Sequence, residues 1–155
     1  MILNEDLRFG DVDDADVRRA FVGGDAVHTK LAIGHQLYKF TEHSLVYRGK
    51  VTPWWSSVLP INSSDTGLAV LLERAKRLGV NPNYFSRVRN AVTEEWNSMD
   101  RLLRVTLRVP VYGFVGPTAD QKVNKKKTSR NVVWIGGATQ LWIPNLTLQH
   151  VKEDK

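Results

Sequence analysis

Three short stretches of this chain hold polar, aromatic and glycine residues in combinations that a hydrophobic core alone does not require. The first is Leu37-Tyr38-Lys39-Phe40-Thr41, a single positive charge set between two aromatic residues. The second is Gly49-Lys50-Val51-Thr52-Pro53-Trp54-Trp55, where a strand-like run meets proline and continues into two adjacent tryptophans. The third runs from Ile135 to Pro144, a double glycine (Gly136, Gly137) followed by Gln140 and Trp142 on one side of an extended segment. A lysine ammonium is a point charge with three donors, suited to anions. A glycine lets backbone amides come close to a ligand. A glutamine amide can orient hydroxyl groups but cannot act as a general base. Each stretch also has a plain reading: a surface lysine on an edge strand, one tryptophan inside and one outside, a glycine turn, and a solvated glutamine.

The elements that must position these residues follow from periodicity. Residues 11–22 read as a short helix with an acidic first turn, stopped by Gly23-Gly24. Residues 35–40 and 45–52 read as strands, and Pro53, Pro60 and residues 62–65 as loops. Residues 66–78 form a helix capped by Ser64 or Asp65, burying Leu68, Leu71, Leu72, Ala75 and Leu78 and ending at Gly79. A second helix over residues 82–99 has Asn81 as its cap and Pro82 at its first position. Residues 103–109 alternate apolar and polar, and further strands are expected over 111–115, 131–135, 139–143 and 146–151. Strands flanking a central helical pair give an α+β fold with a mostly antiparallel sheet. Residues 116–130 lack any period and read as a mobile basic loop holding Lys122, Lys125, Lys126, Lys127 and Arg130.

Charge is uneven. Residues 1–25 hold seven acids against three arginines, whereas the remaining residues hold 19 basic and nine acidic groups. The chain thus divides into an acidic N-terminal segment with a short helix (1–25) and a single basic domain (26–155), the latter suited to nucleic acid or an acidic protein partner.

Several chemistries are excluded. With 155 residues, 42% of them apolar and 25% charged, the chain suits one folded domain. No run approaches a membrane span, and residues 1–10 are too acidic for a signal peptide. Cysteine is absent, which removes disulfides, thiolate metal sites and a cysteine nucleophile. The phosphate-binding glycine-rich motifs and the His-Glu-x-x-His motif are missing, and the four histidines have no metal-ligand spacing, so no metal is expected.

Taken in order, the three stretches resemble the NAD-consuming ADP-ribosyltransferase superfamily, and within it the necrotizing-toxin NAD glycohydrolases. That branch carries a basic residue followed by an aromatic, then a Gly-x-x-Ser-Pro-like segment, then Gly-Gly-x-x-Gln. Here these are Lys39-Phe40, Gly49-Lys50-Val51-Thr52-Pro53 and Gly136-Gly137-Ala138-Thr139-Gln140. The resemblance covers under a quarter of the chain. It departs at Lys39, where many relatives have Arg or His, at Thr52, where Ser is usual, and at Gln140, where the classical transferases have Glu.

The resemblance implies a split antiparallel sheet with flanking helices, and NAD as substrate. It makes Gln140 and Lys39 catalytic, and Tyr38, Thr52, Trp54, Trp55, Gly136 and Gly137 cofactor-binding. Lys39 would hold the pyrophosphate and a tryptophan would stack on nicotinamide, while the nicotinamide–ribose bond breaks through an oxocarbenium-like centre. ADP-ribose would pass to a macromolecule, RNA among the candidates and selected by the basic loop, or to water. A toxin of this kind would be a monomer, secreted or delivered by a parent protein into a target cytoplasm, without membrane contact and with a cognate immunity protein. Two other readings stand beside it: a nucleic-acid-binding module without catalysis, and a metal-independent ribonuclease using His35 or His43 with Lys39.

Overall fold

The computed structural model describes residues 1–63, 65–82, 101–119 and 138–155, together with the backbone of 121–122 and 133–134. Their centre is a seven-stranded antiparallel sheet. In chain order its strands are β1 (Val27–Leu31), β2 (Gln36–Thr41), β5 (Trp54–Ser57), β6 (Arg101–Leu107), β7 (Val111–Pro117), β10 (Thr139–Trp142) and β11 (Val151–Glu153). Two small pairs lie outside it: β3 (Val46–Tyr47) with β4 (Lys50–Val51), and β8 (Gln121–Lys122) with β9 (Val133–Trp134). Across the sheet the strands run β1-β7-β10-β5-β2-β6-β11. Among the described residues, helices α1 (Ala15–Arg19) and α2 (Gly67–Leu78) accompany the sheet, giving an α+β fold.

The sheet narrows at its middle. β2 pairs with β6 from Gln36↔Thr106 to Thr41↔Arg101, but with β5 only at Leu37↔Ser57 and Tyr38↔Ser56. Pro53 has no N–H to offer a ladder, and the Thr52 carbonyl is taken by the Trp55 indole at 2.8 Å. Beyond Tyr38, therefore, β2 and β5 part.

Alternation along each strand divides the sheet into two faces. One face gathers Leu37, Trp55, Leu103, Val105, Leu107 and Leu141 with Leu45, Val51, Ile143 and Leu146 from the connections. The other is covered in two places. Phe9, Val12, Val17 and Phe21 pack on Phe114, Trp54 and Trp142, while Leu68 and Leu71 of α2 pack on Tyr38 and Phe40.

Several elements differ from their sequence-based expectation. The helix over residues 11–22 contracts to α1, flanked by 3-10 turns at Phe9–Asp11 and Val22–Gly24. Asp14 caps α1 by accepting from the Asp16 and Val17 amides, so the chain before it is extended. Val12, Val17 and Phe21 must all reach the sheet, and a five-residue step from Val12 to Val17 does not fit one helical stripe.

The strand expected over 45–52 folds back on itself as the β3–β4 hairpin, because Arg48 and Gly49 both take positive φ. The strand expected over 146–151 begins only at Val151, after a turn in which the Thr147 amide donates to the His150 ring. The stretch expected to be patternless from 116 begins with the end of β7 and continues into β8. Strands β1 and β5 have no counterpart in the sequence reading.

Helix α2 matches its expected span, but its N-cap is Thr66, which makes no side-chain capping bond, and the Asp65 carboxylate before it accepts from the Ile61 and Gly67 amides. Gly67 is required there. Its φ is +71° and a Cβ would sit 2.8 Å from the Val58 carbonyl oxygen. Leu68, Leu71 and Ala75 are buried, whereas Leu72 and Leu78 are exposed rather than on the packed face. Beyond Asn81 and Pro82, the helix expected over 82–99 lies outside the described residues. No helix among the described residues is long and apolar enough to cross a membrane.

Candidate functional site

Lys39 sits where β2 and β5 part. Its position on β2 turns it toward the apolar face, between Leu103 on β6 and the Trp55 ring, 5.8 Å from the ammonium. Nζ donates to Thr52 Oγ1 at 2.6 Å. The burial that surrounds the amine penalises its charged form and pulls its pKa down to about 8. No carboxylate pairs with it among the described residues. A buried amine without a counter-ion is a costly arrangement, and one that a bound anion relieves.

The opening is a cavity of about 150 Å³, lined by Lys39, Thr41, Thr52 and Pro53 from the parted strands and by His43, Tyr47 and Lys50 from the hairpin side. Ligand pockets for whole small molecules are commonly about 300–1,000 Å³, so this one suits the phosphate portion of a larger ligand. The His43 ring stacks on Tyr47, with centroids 3.8 Å apart and planes at 21°. Glu42 Oε1 lies 3.4 Å from His43 Nε2. The site therefore offers two cations, the hydroxyls of Thr41, Ser44, Tyr47 and Thr52, and one imidazole stacked on an aromatic ring. That set can bind phosphate oxygens and move a proton.

The residues expected to form one site fall on two faces. Lys39 and Thr52 meet, and Trp55 lies under the amine. Tyr38, Trp54 and Gln140 point to the opposite face, as the pairing Trp142↔Trp54 and the alternation of Trp54 with Trp55 require. There the Gln140 amide donates to the Ala20 carbonyl at 2.7 Å, and Trp54 packs 5.7 Å from Phe21. Gln140 and Lys39 are thus separated by the sheet.

Gly136, Gly137, Lys125, Lys126, Lys127 and Arg130 lie outside the described residues, and of Lys122 only the backbone, in β8, is described. His35 lies just before β2, four residues from Lys39 in the chain and about 13 Å away along an extended backbone. It contacts the Ser57 hydroxyl at 2.9 Å, and burial lowers its pKa. Ser57 Oγ in turn donates to the Leu59 carbonyl, so the serine is the acceptor from His35 and is not activated by it.

Tyr47, Arg48 and Lys50 had not been singled out as site residues from the sequence. The signal was an Arg-Gly pair standing where Asn-Gly ordinarily marks a two-residue hairpin. No group of His, Cys, Asp and Glu among the described residues could hold a metal ion. Comparison of this chain with family models, curated proteins and solved structures yields no match.

Proposed function

We propose that this chain is an NAD-consuming domain of the ADP-ribosyltransferase type, breaking the nicotinamide–ribose bond and passing ADP-ribose to a macromolecule or to water. The observation that carries this reading is the 2.6 Å contact between Lys39 and Thr52, two residues from separate stretches of the resemblance, in a cationic pocket at a parting of the sheet. The third stretch supports it by position. Gln140 stands on β10, next to β5, which is next to β2, so all three stretches sit on or beside consecutive strands.

In this reading Lys39 and Thr52 hold the pyrophosphate, and His43 is the group placed to take a proton from water or from an acceptor hydroxyl. Gln140, hydrogen-bonded to Ala20 on the other face, secures the N-terminal segment rather than touching the pyrophosphate. A protein with this activity would act as a delivered toxin and require an immunity protein to block the pocket.

Incubation of the full chain with labelled NAD, with and without total RNA and total protein, tests the proposal. Label on RNA, label on protein or free ADP-ribose supports it, with Lys39→Met reducing turnover by about a hundredfold or more. Absence of turnover under all conditions overturns it. A second reading has its own observation: His43 and Lys39 line the same cavity, an acid–base pair for metal-independent phosphodiester cleavage. RNA cleavage in a chelator without NAD would select that reading.

A further inference from the structure

We infer that the β3–β4 hairpin is a stacking platform for single-stranded nucleic acid, built from His43, Tyr47, Arg48 and Lys50. The hairpin pairs Val46 with Val51 and Tyr47 with Lys50, leaving Arg48-Gly49 as a two-residue turn with φ of +51° and +77°. Both central residues are left-handed, the backbone of a turn in which Asn-Gly is preferred at these positions. An arginine in the first position bears backbone strain that asparagine avoids. A strained residue at an exposed tip, where packing does not demand it, points to a use for its side chain.

That side chain lies against a stacked pair. His43 stacks on the Tyr47 ring at 3.8 Å, and the Arg48 guanidinium lies over the same ring at 5.1 Å from its centroid. The Tyr47 ring thus carries an imidazole stacked on it and a guanidinium within cation–π range. Tyr47 is 43% exposed, and Arg48 and Lys50 are both exposed. Neither cation has a carboxylate partner among the described residues; Glu42 is close to His43 instead.

A nucleobase extends such a stack on the guanidinium plane, and Lys50, across the hairpin from Tyr47, meets the backbone phosphates. Bases inside a duplex have both faces covered by neighbours, so the platform selects single strands. Lys50 and Tyr47 also line the Lys39 cavity, which brings a bound strand beside the proposed reaction centre. As the acceptor surface this rests on the NAD reading; as a binding site it does not, and the test contains no NAD.

Fluorescence anisotropy of the full chain with labelled oligonucleotides of about 12 residues, RNA and DNA, single-stranded and duplex, measures the platform over a range of salt. Tyr47→Ala is expected to weaken single-strand binding roughly 5- to 150-fold. Arg48→Asn is expected to weaken it about tenfold and to flatten the log–log salt slope by about 0.7, while the melting temperature stays level or rises because asparagine relieves the turn. Lys50→Gln should flatten the slope by a similar amount, about 0.7. Stronger binding of RNA than DNA assigns the acceptor as RNA, and the reverse assigns DNA; both keep the platform. Wild-type affinity in Arg48→Asn and Tyr47→Ala, duplex binding as tight as single-strand binding, or equal competition by polyglutamate each overturns it.

Discussion

The two faces of the sheet treat their polar residues in opposite ways. On one, a single half-buried amine lies over Trp55, opposite Leu103, and reaches one hydroxyl, Thr52. On the other, Gln140 is hydrogen-bonded to a backbone carbonyl that also accepts from the Ala119 amide. The first arrangement leaves unfavourable electrostatics in place for a ligand to relieve; the second is complete without one. Residues adjacent in sequence, such as Trp54 and Trp55 or Tyr38 and Lys39, fall into these different environments by pleat alone. Function on this sheet is a matter of parity as well as proximity.

Four measurements sharpen or break that contrast. The largest effect is expected at Trp55, 2% exposed and at the centre of the amine-bearing face. Trp55→Ala should cost about 3–5 kcal/mol in chemical denaturation, and Trp54→Ala, partly exposed against Phe21, clearly less. Equal losses at the two positions would erase the distinction.

Next comes the buried amine. Its pKa lies at about 8 in the folded chain against 10.5 ordinarily. Between these values the unfolded chain binds more protons than the folded one, so stability must rise with pH across that window. The expected gain is about 3 kcal/mol. Below pH 8 both states are protonated and the burial cost is present in full. Lys39→Met should abolish this rise and be more stable than wild type at neutral pH, while losing the anion site. Urea midpoints at about pH 7.5 and about pH 10 for both proteins decide it.

A smaller effect is expected under the N-terminal cover. A Cβ on Gly116 would meet Phe21 Cδ1 at 2.8 Å, so Gly116→Ala should destabilise by about 1–3 kcal/mol. An unchanged melting temperature would mean that Phe21 is free to shift. The smallest is at Gln140. Gln140→Ala gives up one hydrogen bond whose acceptor keeps another, about 0.5–1.5 kcal/mol, with NAD turnover largely retained. Abolished turnover at unchanged stability would return Gln140 to the reacting centre and move the site to its face.

Much of the scaffold was legible in the sequence, and the reasons are local. Helix α2 announces itself by Leu68, Leu71 and Ala75 at helical spacing and by Gly79 past its end; β6 does so by strict alternation from Leu103 to Leu107. The division of Trp54 from Trp55 also follows from alternation. The acidic helix was misread because Asp14 diverts its neighbours' amides into a cap, a choice made by tertiary contact with Phe114 and Trp142. Lys39 and Thr52 were legible as candidates, but their separation from Gln140 was not. That depends on the registers Leu141↔Trp55 and Tyr38↔Ser56, set between strands far apart in the chain.

The first residues of the chain are sewn to its last third. Both hydrogens of the Asn4 amide are used, one on the Tyr112 carbonyl and one on that of Pro144; Asn145 donates back to Asn4, and Leu3 bridges Val111. During synthesis, residues 3 and 4 have nothing to dock on until the residues from Val111 to Asn145 have followed them. Phe9 and Phe21 must wait exposed while the sheet they cover is assembled, and the loops that join these ends are among the longest the chain can close. The N-terminal cover of the Trp54–Trp142 face is therefore the part of the fold that closes last, over a sheet already in place.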